Sequence, residues 1–205
     1  MPDCFAVFDE PRRPWIDPEA LKQKYLARSA EAHPDRVHHG SQAERQSAQQ
    51  RYTELNSAYQ CLRDPKERLR HFLELERGAK PAEVQNVPPD LMNLFMEVSG
   101  LCREADSFLT EKARVSSPLL LVPLFERGHQ YLQKVSGLIA EIGSRREQLL
   151  TELKAIDDDW AAMSDRGAPA CGATLPRLEE LYRLFGYYAR WTSQLAERQL
   201  SLSGV

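Results

Sequence analysis

The chain predicts an all-α protein, and three observations carry that expectation. Helix formers dominate its 205 residues while β-branched residues are sparse. No stretch alternates apolar and polar residues in the manner of a strand. Apolar residues instead recur at helical spacing behind sequences that cap helix starts. A chain of this length buries a core either as one large domain or as two small ones.

Taken in order, Phe5, Val7 and Phe8 suggest a helix of one or two turns, ended by Pro11-Arg12-Arg13-Pro14. Asp17 reads as the N-cap of a second helix, with Pro18 at the first position, where a missing amide does no harm. Leu21, Tyr25, Arg28 and Ala32 share one side of it. Pro34 then ends it, because proline restricts the residue before it and donates no hydrogen bond. Ser41 and Glu44 form a capping box for a third helix. Its stripe, Ala48, Tyr52, Leu55, Tyr59 and Leu62, suits an antiparallel partner, the preceding helix. His33-Pro34-Asp35 is thereby displayed on the turn of a helical hairpin.

Asp64-Pro65-Lys66-Glu67 starts a fourth helix carrying Leu69, Phe72, Leu73 and Leu75. Gly78, Pro81, Pro88 and Pro89 mark residues 78–89 as a linker between two domains. A second region follows at 90–205, read as three helices: to about Ala113, from Leu124 to Trp160, and from about Leu175 to Leu202. Three helices joined by two loops make a small bundle. In the first of them, Leu91, Leu94, Phe95, Val98, Leu101, Cys102, Ala105 and Leu109 project to one broad apolar side. Met92 and Met96 fall off that side and are expected on an exposed stripe, where flexible thioethers suit a partner that is gripped and released.

Composition excludes several function classes. Net charge is −3 with acids and bases intermixed, so no basic excess points to nucleic acid. No run approaches a membrane span, and the first residues have neither signal-peptide nor transit-peptide character, so a cytoplasmic location is expected. The four cysteines, Cys4, Cys61, Cys102 and Cys171, show no paired spacing; reduced, mostly buried thiols are expected rather than a zinc ribbon or redox motif. His33, His38 and His39 have no carboxylate or thiol at ligand spacing, so no metal and no cofactor is expected there. No glycine-rich phosphate loop and no Ser/His/Asp or Cys/His arrangement stands out, and the chain reads as non-enzymatic.

The first 77 residues resemble a J domain, the activating module of co-chaperones for DnaK-type ATPases. The matching residues are Leu21-Lys22 and Tyr25, the turn His33-Pro34-Asp35-Arg36, then Tyr52, Leu55-Asn56, Ala58-Tyr59 and Leu62, closed by Asp64-Pro65 and Arg68. The remainder is similar to the HscB-type (Jac-type) co-chaperones of iron–sulfur cluster assembly. That likeness rests on Arg68 to Leu75 continuing the fourth helix, on Pro89-Asp90-Leu91-Met92 with Met96-Glu97, and on a Leu/Tyr-rich last helix. The residues before the turn, Glu31 and Ala32, depart from the basic and aromatic pair usual in J domains.

The resemblance implies a J domain at 1–77 and a scaffold-binding bundle at 90–205. Its partners would be a DnaK/HscA-type ATPase, whose hydrolysis it stimulates, and an iron–sulfur scaffold of the IscU type. His33, Pro34, Asp35 and Arg36 would contact the ATPase, with Lys22, Lys24 and Arg28 steering an acidic patch onto them. Leu91, Met92, Phe95 and Met96, together with Phe185 and Tyr188 on the last helix, would hold the scaffold. An alternative is a J-like protein-binding adaptor without ATPase stimulation, motivated by Glu31 and Ala32.

Overall fold

The computed structural model describes residues 3–33, 41–81, 87–115, 118–164 and 174–204. Seven α-helices lie among them: α1 (Cys4–Val7), α2 (Pro18–Ala32), α3 (Gln42–Arg63), α4 (Pro65–Arg77), α5 (Met92–Ala113), α6 (Pro118–Ser164) and α7 (Thr174–Ser203). A 3-10 turn, Pro89–Leu91, leads into α5, and the described residues contain no strand. The all-α expectation is met. Among the described residues no helix is long and apolar enough to cross a membrane.

The helix starts follow the caps. Asp17 accepts from the Ala20 amide at 2.8 Å, with Pro18 at the first helical position. Ser41 and Glu44 form a reciprocal box, the Glu44 amide donating to Ser41 and the Ser41 amide to Glu44 at 2.7 Å. Asp64 caps α4 by accepting from the Glu67 amide at 2.9 Å. Gly78 ends α4 in the left-handed conformation at φ 71°, where a Cβ would be strained. Its amide donates to Glu74 O at 2.9 Å.

The chain forms two compact units, but they do not follow the expected boundary. One comprises Met1–Ala82 together with Thr151–Arg183; the other comprises Glu83–Leu150 with Leu184–Val205. Sequence places residues 90–205 in one bundle, whereas part of α6 and part of α7 belong with the N-terminal unit. The physical reason is a set of contacts inside that unit. Phe72 of α4 meets Trp160 edge-on at 5.0 Å. Asp157, fully buried, accepts from Arg13 Nε at 3.2 Å and from the Trp15 amide at 3.1 Å. Lys154 lies over the Trp15 ring at 5.0 Å. Of the linker 78–89, residues 82–86 lie outside the described residues.

Asp157 is the one buried carboxylate among the described residues, and Arg13, about a third exposed, faces it from the segment before α2. Asp157→Asn keeps the shape and an acceptor oxygen but removes the charge. It should cost about 1 kcal/mol, read as a shift of the urea midpoint at constant slope. Arg68 secures the same segment. It is buried, donates to Pro14 O at 2.9 Å and Leu62 O at 2.6 Å, and burial pushes its pKa down to about 10, which leaves it charged at neutral pH.

In the other unit α5 presents Leu94, Val98, Ala105 and Phe108 to the core. Phe108, 1% exposed, takes the place expected for Leu109, which is only half-buried. Helix α6 begins at Pro118 rather than Leu124 and runs through Pro123. Leu124, directly after that proline, is buried in register with Val135, Leu138 and Ile142. Trp191 of α7 gathers Tyr187, Tyr188 and Phe95 around it at 5.6, 6.2 and 6.3 Å. Arg198 ties α7 to α5 through a two-pronged bond to Asp106 at 3.0 and 3.1 Å.

Candidate functional site

Two surfaces were expected, and each lies within one unit. The first is the α2–α3 hairpin. Tyr25 stacks on Tyr59 at 4.0 Å with the rings 10° from parallel, and its hydroxyl donates to Asn56 Oδ1 at 2.8 Å. Residues that repeat at helical spacing on facing helices thus close the hairpin; an aromatic pair of this kind contributes about 0.5–1.5 kcal/mol beyond its buried area. His33 caps the C-terminus of α2 with extended backbone, φ −61° and ψ 129°, as a residue before proline requires. Its side chain is exposed, and the ring meets Tyr52 edge-on at 5.5 Å. Pro34, Asp35, Arg36, His38 and His39 lie outside the described residues.

The expected steering charges are not free. Lys24 pairs with Glu10, and Arg28 pairs with Asp9, donates to the Val7 carbonyl and sits 5.9 Å over the Phe8 ring. Arg28 therefore ties α2 to the end of α1 as much as it offers charge. Lys22 is exposed, with Glu19 at 3.7 Å one turn away. The positive face of α2 is correspondingly diluted. A feature absent from the sequence reading is Leu26, 51% exposed on the same helix.

The second surface lies on α5. Met92 and Met96 are 42% and 56% exposed, as their position off the apolar side requires. Phe95 is half-buried against Trp191. Three other expected contact residues are in the core: Leu91, Phe185 and Tyr188 are 3%, 3% and 4% exposed. Leu91 closes the turn into α5, and the two α7 aromatics are taken up by packing, which leaves them no face for a partner. Burial also raises the Tyr188 hydroxyl above the usual tyrosine range.

Beside Met96 a groove runs between α5 and α6. Glu97, Gly100 and Glu104 line it from α5, and Lys134, Gly137 and Glu141 from α6. Three carboxylates face one lysine, so the rim is acidic. Gly100 and Gly137 face open space there, and a Cβ built on either meets nothing within 4 Å. An interior helix glycine costs about 1 kcal/mol relative to alanine, and two of them facing one groove was the available sequence signal. Gly137→Ala should raise stability by about 0.5–1 kcal/mol in urea unfolding, because the methyl group meets no obstacle.

Residues 13–71 match the DnaJ domain family. The chain is 37% identical over 97 residues to the co-chaperone protein HscB homolog of Chromobacterium violaceum, covering 46% of this chain and 55% of that protein. It is 40% identical over 85 residues to the HscB homolog of Ralstonia nicotianae, covering 42% and 48%. The matched stretch thus spans about half the length of these curated relatives. In fold, the chain superposes on chaperone HscB from Vibrio cholerae with a TM-score of 0.61 at 18% identity, covering 98% of this chain and 99% of that one. It superposes on human co-chaperone protein HscB with a TM-score of 0.62 at 15% identity, covering 97% and 83%.

Proposed function

From a chain whose residues 13–71 match the DnaJ domain family and which is similar in sequence to HscB co-chaperones, we propose a specific task. It acts in the cytoplasm as a non-enzymatic co-chaperone, stimulating the ATPase of a DnaK/HscA-type chaperone and delivering an IscU-type iron–sulfur scaffold to it. The DnaJ match over residues 13–71, spanning the α2–α3 hairpin and the His33-Pro34-Asp35 turn, is the observation that carries this reading.

Contact, not catalysis, is the chemistry those residues offer. Ionised Asp35 accepts hydrogen bonds from an arginine or from backbone amides, and His33 donates or accepts. Proline has a fixed φ, so Pro34 has less conformational freedom to lose on docking. Arg36 and Lys22 add charge toward an acidic patch. On the other surface, Met92, Met96 and the rim of Phe95 offer an apolar grip, and the adjoining acidic groove suits a scaffold face with basic residues. Leu91, Phe185 and Tyr188 act behind that surface by holding α5 and α7 in place.

A specific observation favours a second reading, an adaptor that binds without stimulating. Lys24 and Arg28 are engaged by Glu10 and Asp9, and Glu31 adds an acid just before the turn. Steady-state ATP hydrolysis by a DnaK-type chaperone, measured with and without the full chain, separates the two. A several-fold rise supports the co-chaperone; an unchanged rate with retained binding leaves the adaptor.

A further inference from the structure

The fold brings together three residues from three different helices. Cys4 on α1, Cys61 on α3 and His71 on α4 are all buried, and one sulfur or ring nitrogen of each lies within 4.8 Å of the others. We propose that Cys4, Cys61 and His71 form a binding site for a thiophilic divalent cation of the zinc class. Two thiolates and an imidazole are the donor set such a cation selects, and the Asp3 carboxylate lies 3.9 Å from His71 Nε2. Two thiolates also cancel the charge of a divalent cation, so the loaded site is neutral and suits burial.

The state of His71 is the second observation. Its side chain is 2% exposed, and Nδ1 has no hydrogen-bond partner. Nε2 accepts from the Cys4 amide at 3.0 Å, and Phe5 stacks on the ring at 5.8 Å, fixing its plane. Loading releases two thiol protons to solvent. A cation at Nε2 replaces the Cys4 amide contact; one at Nδ1 moves the ring proton to Nε2. Either route gives up the hydrogen bond at Nε2, and deprotonation of Cys61 gives up the one its thiol donates to Glu67 O. Such a centre would fasten α1 and α4 to α3, at the base of the hairpin that carries His33.

Cobalt(II), the spectroscopic stand-in for zinc, tests this on the reduced, metal-free full chain. The expected result is a thiolate-to-cobalt charge-transfer band that saturates at one cobalt per chain and is bleached by zinc, with a higher Tm for the zinc-loaded protein. Cys61→Ser and His71→Ala should weaken cobalt binding beyond the roughly 10–100-fold typical of an outer-shell loss. Cys102→Ser should leave it unchanged. Absence of the band in the folded wild-type chain overturns the proposal, and that measurement does not depend on whether any variant folds. So does a band that survives Cys61→Ser or disappears with Cys102→Ser.

Discussion

His33→Gln is expected to abolish stimulation of a DnaK-type ATPase while leaving the protein folded. The side chain is exposed at the end of α2, with its ring edge 5.5 Å from the Tyr52 ring. Losing that contact should change stability by no more than about 0.5 kcal/mol, the usual range for a surface substitution. The hairpin itself is closed elsewhere, by the Tyr25–Tyr59 stack and the Tyr25–Asn56 hydrogen bond. Helical content and Tm should therefore stay near wild type while the rate of ATP hydrolysis falls to the chaperone's basal level. Tyr25→Phe is the useful contrast. It removes the bond to Asn56 at a cost of about 0.5–1.5 kcal/mol but spares the turn, so stimulation should persist. Full stimulation by a folded His33→Gln protein would sink the proposed mechanism.

Helix boundaries were legible wherever a side chain satisfies the backbone locally. Asp17, Ser41 and Asp64 each begin a helix at the expected residue, because a cap depends only on its immediate neighbours. The start of α6, expected at Leu124, was not legible, because Pro123 lies inside the helix. In the fold α6 continues through it, and the neighbouring Leu124 is buried in the core. What no local pattern carries is the use of Thr151–Arg183 by the N-terminal unit. Asp157 is fully buried against Arg13 and the Trp15 amide, partners more than 140 residues away in sequence. The site shows the same division. The exposure of Met92 and Met96 was legible because helical projection measures an angle within one helix. Phe185 and Tyr188 were misjudged because their burial depends on what α7 packs against. Cys4, Cys61 and His71 come from separate helices, so their spacing in sequence says nothing of the cluster.

Met92→Ala combined with Met96→Ala should weaken binding of an IscU-type scaffold at least tenfold. Both thioethers are exposed on α5, one turn apart, and Met96 borders the acidic groove lined by Gly100 and Gly137. Truncating an interface anchor costs about 1–3 kcal/mol, or roughly one to two decades of affinity. Neither residue fills the core; that is the work of Leu91, Leu94, Val98 and Phe108. The double variant should accordingly keep its Tm within a few degrees of wild type. It should also stimulate a DnaK-type ATPase as the wild type does when no scaffold is present, because His33 and the turn are unaltered. The control is Leu91→Ala, which opens a cavity behind the same surface: it should lower stability by about 2–3 kcal/mol and weaken the scaffold only through disorder of the turn into α5. Calorimetric titration of scaffold into each variant, paired with thermal unfolding, distinguishes these outcomes. Unchanged scaffold affinity in a folded Met92→Ala, Met96→Ala protein would remove α5 as the client surface.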